Sequence, residues 1–391
     1  MRKGANIGAA TVVNQTGEAL PDKYQSYMRS MIRSTAEAQG KDTVIQGNDT
    51  IYKWKRNPQI AEAMVDDRII IPNLIDSGKV LTFTADEALK WGYCDGIAES
   101  IDQVITSYLG YKTYYRIAGE CSGNKKPLIL LHGGPGSTHN YFEVLDQLAD
   151  EGRAIISYDQ LGCGNSYVEG HSELWCSKTW MNELIELRKY LGLNELHLLG
   201  QSWGGMLSIE YLCDHKPEGI KSVILSSTHP SARLWAQEQH RMIKFMSQED
   251  QDAIAKAEAT GNFDDPAYLA ANERFMLLHA AGVPKDTDPE CLRRPKKIGT
   301  DSYITAWGPN EYTPIGNLSN YEYRDKLKNI KEPALIINGT NDLCTPLVAK
   351  TMYDSIPNSR WELFDDCRHV CFVEDTDRYC RLLNEWMDQN D

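Results

Sequence analysis

The sequence has no apolar run approaching the ~20 residues that a membrane helix needs, no internal repeat and no low-complexity tract. Met1-Arg2-Lys3 followed by GANIGAATVV imitates the start of a signal peptide. The apolar stretch is short, however, is broken by Asn6 and leads to no cleavage site. Basic charge is in deficit, with 41 Lys and Arg against 55 Asp and Glu, a net charge of −14. That argues against a phosphate-binding surface, which needs clustered cations, so no nucleic-acid partner is expected, and the lack of a long apolar run leaves no membrane partner expected either. A negative field favours substrates that carry positive charge, such as a free amino terminus. Cysteines are present but unpaired in pattern: ten are scattered singly along the chain, which suits reduced thiols in the cytoplasm better than a disulfide framework.

What the chain does have is a core's worth of apolar residues, 41% of the total, and a length of 391 residues that favours two units. From about residue 107 onward, short apolar runs alternate with helical patterns. GYKTYYRI (110–117), KPLILLHGG (126–134), RAIISYDQLG (153–162), ELHLLGQS (195–202), IKSVILSS (220–227) and EPALIINGTND (332–342) are each closed by a turn. KTWMNELIELRKYLGL (178–193) and GGMLSIEYLCDH (204–215) are among the helical patterns between them. This alternation predicts an α/β fold whose mainly parallel sheet is covered on both faces, with its active site beyond the carboxyl ends of the strands. Between about 229 and 315 the strand pattern stops, and the stretch is helical; an insertion there reads as a lid. Residues 1–105 form a separate segment, with a soft seam near DQVITSYLG (102–110) that no Pro/Gly/Ser linker marks.

Gly200-Gln201-Ser202-Trp203-Gly204-Gly205 fits G-x-S-x-G between an apolar strand and a helix. Small residues on either side permit the tight turn that lifts a serine clear of the sheet. A serine hydroxyl needs a base, which in this topology comes last, preceded by a carboxylate at a strand end. Asp342 ends ALIINGTND and His369 follows in FDDCRHVCFVED; Asp365 and Asp366 are nearer in sequence but end the next strand. His197 lies inside a strand, where a packed core histidine is expected. Oxyanion donors are expected from the N–H of Trp203 and from the turn His132-Gly133-Gly134-Pro135-Gly136. Cys367-x-His369-x-Cys371, if extended, would point both thiols and the imidazole one way. A structural metal site needs a fourth ligand, so neither metal nor cofactor is expected.

Together, HGGPG (132–136), DQLGCGNS (159–166), GQSWGG (200–205), GPNEY (308–312) and the GTND…H ending resemble the proline iminopeptidase family, an α/β-hydrolase family, over about 107–391. The resemblance implies hydrolysis of N-terminal proline, or another small or apolar residue, from short peptides without a cofactor. It implies Ser202, Asp342 and His369 as the triad, Gly134 and Trp203 as oxyanion donors, and Glu311 as the group that binds the substrate amine. Some members carry a second glutamate directly after the catalytic aspartate. Leu343 stands there in this chain, so amine recognition would be shared with another lid acid such as Glu273. Residues 1–105 resemble the second half of an NfeD-type, ClpP-like serine protease domain, with Lys23 at the position of that family's lysine. Its serine belongs to a segment ahead of Met1, so a fused, catalytically silent remnant is expected. The competing readings are an esterase or amidase that ignores the amine, and a noncatalytic scaffold.

Overall fold

A computed structural model describes residues 6–8, 10–13, 20–46, 49–94 and 104–391. The chain divides into two compact units, Met1–Gln103 and Val104–Asp391. In the first, β1 (Asn6–Gly8) and β4 (Thr82–Thr84) pair antiparallel, as do β2 (Lys41–Gln46) and β3 (Asp49–Trp54). Its helices are α1 (Asp22–Glu37), α2 (Pro58–Ala63) and α3 (Ala85–Lys90). Asn57 caps α2, and Thr84 with Glu87 forms a capping box on α3, satisfying N–H groups a helix start leaves open. Ile60, Ala63, Met64, Leu81, Phe83 and Ala88 give this unit a small buried centre of its own. Lys23 is exposed on α1, its ammonium 4.8 Å from the centre of the Tyr24 ring, and Ser26 and Ser30 are exposed as well.

The second unit is built on one eight-stranded sheet in the order β12-β11-β10-β9-β7-β8-β6-β5. Its strands are β5 (Val104–Tyr108), β6 (Tyr111–Ala118), β7 (Leu128–Leu131), β8 (Ile155–Asp159), β9 (Leu196–Gln201), β10 (Ile220–Ser226), β11 (Ala334–Gly339) and β12 (Ser359–Phe364). From β7 to β12 all pairings are parallel, and β6 and β5 close one edge antiparallel. The six apolar runs read from the sequence are thus all strands of a mainly parallel sheet. The expected seam partly holds a strand: β5 forms a hairpin with β6 through Leu109 and Gly110, both at positive φ (48° and 82°).

Every residue of β7, β8, β9 and β11 is buried, as strands covered on both faces must be. Alternation sorts their side chains into two cores. Ile129, Leu131, Leu198, Val223 and Ile336 pack on one side, whereas Leu128, Leu130, Leu199, Ile224 and Leu335 pack on the other. The covering helices include α4 (Ser177–Tyr190) and α5 (Trp203–Glu210). Between β10 and β11 the chain adds no strand to the sheet. It runs instead through α6 (Ala232–Ile243), α7 (Gln248–Thr260), α8 (Pro266–His279), α9 (Glu290–Arg293) and α10 (Thr300–Ala306), the helical insertion expected as a lid. Then α11 (Pro346–Ser355), α12 (Cys371–Glu374) and α13 (Thr376–Asp388) complete the unit. Among the described residues no helix is long and apolar enough to cross a membrane.

Candidate active site

Strand order reverses at β7, which has β8 on one side and β9 on the other. A crevice opens at such a reversal, beyond the strands' carboxyl ends, and the turns after β7, β8, β9, β11 and β12 all carry candidate residues. Ser202 follows β9 directly, with φ 53° and ψ −121°, a conformation few L-residues adopt. The strain is held by the Ser202 N–H donating to the Ser226 carbonyl at 3.0 Å and the Thr228 hydroxyl donating to the Ser202 carbonyl at 2.7 Å. The flanking glycines are obligatory for packing. A Cβ on Gly204 would strike the Leu131 backbone, and one on Gly200 would strike Gly204. A Cβ on Gly133 would lie 3.1 Å from the Ser202 Cβ, so the glycine-rich turn after β7 lies against Ser202.

His369 is buried after β12, and its Nδ1 donates to Asp342 Oδ1 at 2.7 Å. Asp342, 1% exposed after β11, also accepts from the Cys344 N–H at 2.8 Å, the Ser227 hydroxyl at 2.6 Å and the Gly339 N–H at 3.2 Å. Burial pushes the His369 imidazole down, but the charge and hydrogen bond of Asp342, with Glu311 nearby, outweigh it and leave the pKa raised. The backbone N–H of His369 meets the carbonyls of His279 and Ala280 at 3.2 and 3.1 Å, tying this residue to the end of α8 in the helical insertion. No hydrogen bond joins Ser202 Oγ to His369 among the described residues; such bonds are often long before substrate arrives. The two segments are instead tied by Gln201, whose Nε2 donates to the His369 carbonyl at 3.1 Å. Asp365 and Asp366 are exposed. His197 is a core residue, bonded to Ser222 and Asp391 and pushed down to about 4 by burial.

Of the expected oxyanion donors, Trp203 opens α5, where an N–H has no partner within its own helix. Gly134 stands in the turn at φ 115°, its N–H turned to no acceptor among the described hydrogen bonds. Glu311 belongs to the helical insertion, following α10. Its Oε1 accepts from the Tyr303 hydroxyl at 2.8 Å, and its carbonyl accepts from Trp235 Nε1 at 3.0 Å. The Trp235 ring sits edge-on to the His369 ring at 5.8 Å, so one side chain spans the base and the carboxylate. Burial raises the Glu311 pKa, while the charge of His369 and the Tyr303 bond pull it back. Glu273 is exposed on α8, and Leu343 is buried.

The Cys367–Cys371 segment is not extended as supposed. Asp366 at φ 59° turns the chain, and Cys371 begins α12, so the three side chains do not alternate along a strand. Cys371 Sγ donates to the Arg368 carbonyl and Cys344 Sγ to that of Thr228. Sequence reasoning did not find the supports Gln160, Gln201, Ser227, Trp235 and Tyr303, nor Tyr141, whose hydroxyl accepts from the Gly133 N–H at 2.6 Å and donates to Gln201 Oε1 at 3.0 Å, although Gln160 and Gln201 stand inside the quoted motifs.

Residues 126–376 match the family model described as alpha/beta hydrolase fold, and residues 1–113 match that of the NfeD1b, N-terminal domain. The chain is 61% identical over 284 residues to a proline iminopeptidase of Clostridium botulinum, covering 73% of this chain and 97% of the relative. A proline iminopeptidase of Lactobacillus helveticus is 62% identical over 286 residues, again covering 73% of this chain and 97% of the relative. Among solved structures, the proline iminopeptidase of Mycobacterium smegmatis superposes with a TM-score of 0.66 at 29% identity. That match covers 74% of this chain and 98% of the other.

Proposed function

The chain belongs to the α/β hydrolases and, within them, to the proline iminopeptidases, and on that premise we propose how its residues divide the work of releasing N-terminal proline from a peptide. Ser202 is the nucleophile, His369 the general base and Asp342 the group that orients the imidazole and stabilises its charged form. Ser202 Oγ attacks the carbonyl of the first residue while His369 takes its proton. The oxyanion is met by the N–H groups of Gly134 and Trp203. His369 then protonates the departing amine, and water, deprotonated by the same imidazole, hydrolyses the prolyl-enzyme.

The observation that carries the substrate assignment is a half-buried carboxylate near the base. Glu311 has one hydroxyl donor and no cation bonded to it among the described residues, so an ammonium arriving there completes a charge-assisted pair. That ammonium would also draw the raised Glu311 pKa back down and keep the carboxylate ionised. Glu273 has no hydrogen bond to this cluster among the described residues, and Leu343 is apolar, so Glu311 carries the amine in this reading. The substrates are short peptides with a free N-terminal proline. The N-terminal unit takes no part in the chemistry, in keeping with the exposed Lys23.

The test is hydrolysis of proline p-nitroanilide beside its N-acetylated form, with Ser202→Ala and Glu311→Gln. Cleavage of the free amine alone, abolished in Ser202→Ala and depressed in Glu311→Gln, is expected. Equal cleavage of the blocked compound would replace this reading with an amidase indifferent to the amine.

A further inference from the structure

The two oxyanion donors come from separate segments, the turn after β7 and the start of α5, and their spacing must be held by something. Gln160, 1% exposed immediately after β8, contacts both. Its Nε2 donates to the His132 carbonyl at 3.0 Å, and its Oε1 accepts from Trp203 Nε1 at 2.8 Å. Its own N–H donates to His132 Nε2 at 3.0 Å, which makes that nitrogen an acceptor. His132 Nδ1 therefore carries the proton and donates to the Gly133 carbonyl at 2.9 Å. Burial keeps this imidazole neutral, down to about 4, so the arrangement does not titrate in the working range. One side chain thus grips the carbonyl two residues before Gly134 and the indole of Trp203 itself.

We infer that Gln160 is a positioning residue that sets the distance between the Gly134 and Trp203 donors; the inference rests on the assignment of those donors above. Only an amide of this length serves, because one end must donate to a carbonyl and the other accept from an indole. The neighbouring motif residues hold Gln160 in turn. Asp159 accepts from the backbone N–H groups of His139 and Asn165, both at 2.8 Å. Glu183 receives the Leu161 N–H at 2.9 Å. A Cβ on Gly164, at φ 53°, would strike the Asp159 carboxylate. Among the described residues Gln160 has no hydrogen bond to Ser202 or His369. It acts through the donors, and its effect should appear where charge develops and not where substrate binds.

The experiment uses the full chain with Gln160→Met and Gln160→Glu, rates being expressed per site titrated with a fluorophosphonate so that misfolded molecules drop out. Gln160→Glu keeps the acceptor for Trp203 but turns a carboxylate toward the His132 carbonyl, and it serves if the methionine variant folds poorly. Losing one donor outright costs about 100- to 1,000-fold, and a displaced donor should lose part of that. We expect kcat on proline p-nitroanilide to fall about 10- to 100-fold with KM within a factor of two and the pH profile unmoved. A prolyl boronate, which forms a tetrahedral adduct with the serine, should bind more weakly by the same factor, while free proline binds unchanged. A kcat per titrated site within twofold of wild type would overturn the inference, as would equal weakening of boronate and proline. Wild type that fails to label, or an active Ser202→Ala, would instead refute the parent assignment.

Discussion

Replacing Asp342 by asparagine separates the charge of the carboxylate from its role as an acceptor. Oδ1 holds His369 Nδ1 at 2.7 Å and the Cys344 N–H at 2.8 Å, whereas Oδ2 holds the Ser227 hydroxyl at 2.6 Å and the Gly339 N–H at 3.2 Å. An amide must place its NH2 on one side. Facing Cys344 it would meet a well-made N–H and force His369 into the other tautomer. Facing Gly339 it sacrifices only the longest bond, and the Ser227 hydroxyl can rotate to accept. The amide oxygen therefore stays with His369, the tautomer survives, and charge is what is lost. A buried hydrogen bond to a charged group is worth about 1.5–3 kcal/mol, and the site is dry enough to take the upper part of that range, about 2–3 kcal/mol. At about 1.4 kcal/mol per decade, kcat/KM should fall roughly 30- to 150-fold with KM little changed. Because Asp342 also raises the His369 pKa, the acid limb of kcat/KM should move to lower pH. Steady-state kinetics from pH 5 to 9 on titrated enzyme would measure both. A loss near ~10⁴, the size associated with a misplaced tautomer, would refute the argument about amide orientation. A loss below about threefold with an unmoved limb would refute the assignment of Asp342.

With His369 as the base, wild-type activity requires its neutral imidazole, whose pKa is raised by Asp342 and Glu311 against burial, so the acid limb should lie above that of an ordinary histidine; a flat profile from pH 5 to 8 would remove His369 as the base. Glu311 is one cause of that elevation, so Glu311→Gln should shift the limb downward as well as weaken kcat/KM for the free amine, by about 10- to 150-fold for a charge-assisted bond of about 1.5–3 kcal/mol. Tyr303→Phe removes a bond that favours the Glu311 carboxylate, so KM should rise more at pH 6 than at pH 8, a difference that initial-rate data on proline p-nitroanilide would show. Asp391 accepts from the fully buried Arg153 at 2.8 Å and from the Lys126 N–H, and its carboxyl pKa is held far below the usual range. Burial opposes that shift, and the Arg153 and His197 bonds outweigh it. Asp391→Ala should cost about 2–3 kcal/mol at pH 7, Asp388 retaining part of the contact. The difference should be full above pH ~4 and shrink as the pH falls below it, which denaturant titrations at two pH values can test.

Ser202 and Asp342 were legible as candidates because each follows a buried run that a turn closes, and His369 because it comes last in chain order. Their supports were not, because their meaning lies between distant segments. Gln160 reaches 28 residues back to His132 and 43 forward to Trp203, and nothing in DQLG announces either contact. Tyr303 likewise reads as one more lid aromatic until it is seen bonded to Glu311. The β5–β6 hairpin was hidden for a different reason. Its two-residue turn places Leu109 at positive φ, where Asn or Gly is the usual signal, so the seam looked like connecting chain. The supposed alternation of Cys367, His369 and Cys371 failed because the chain turns at 369–370 and enters α12 at Cys371, which no composition rule supplies.

Ser202 and Asp342 hang from β9 and β11, and β10 between them fixes their separation by register at two strand spacings, about 10 Å. All of α6 to α10, with Trp235, Tyr303 and Glu311, leaves and re-enters the sheet between β10 and β11. The molecule therefore keeps its reaction and its taste for substrate on separate stretches of gene. A cassette spanning 229–333 can drift, or be exchanged for another that returns two carbonyls to the His369 N–H, while the acylating frame stays in register. New substrates among such enzymes should then arise by rewriting that one cassette, and the old chemistry would be inherited intact.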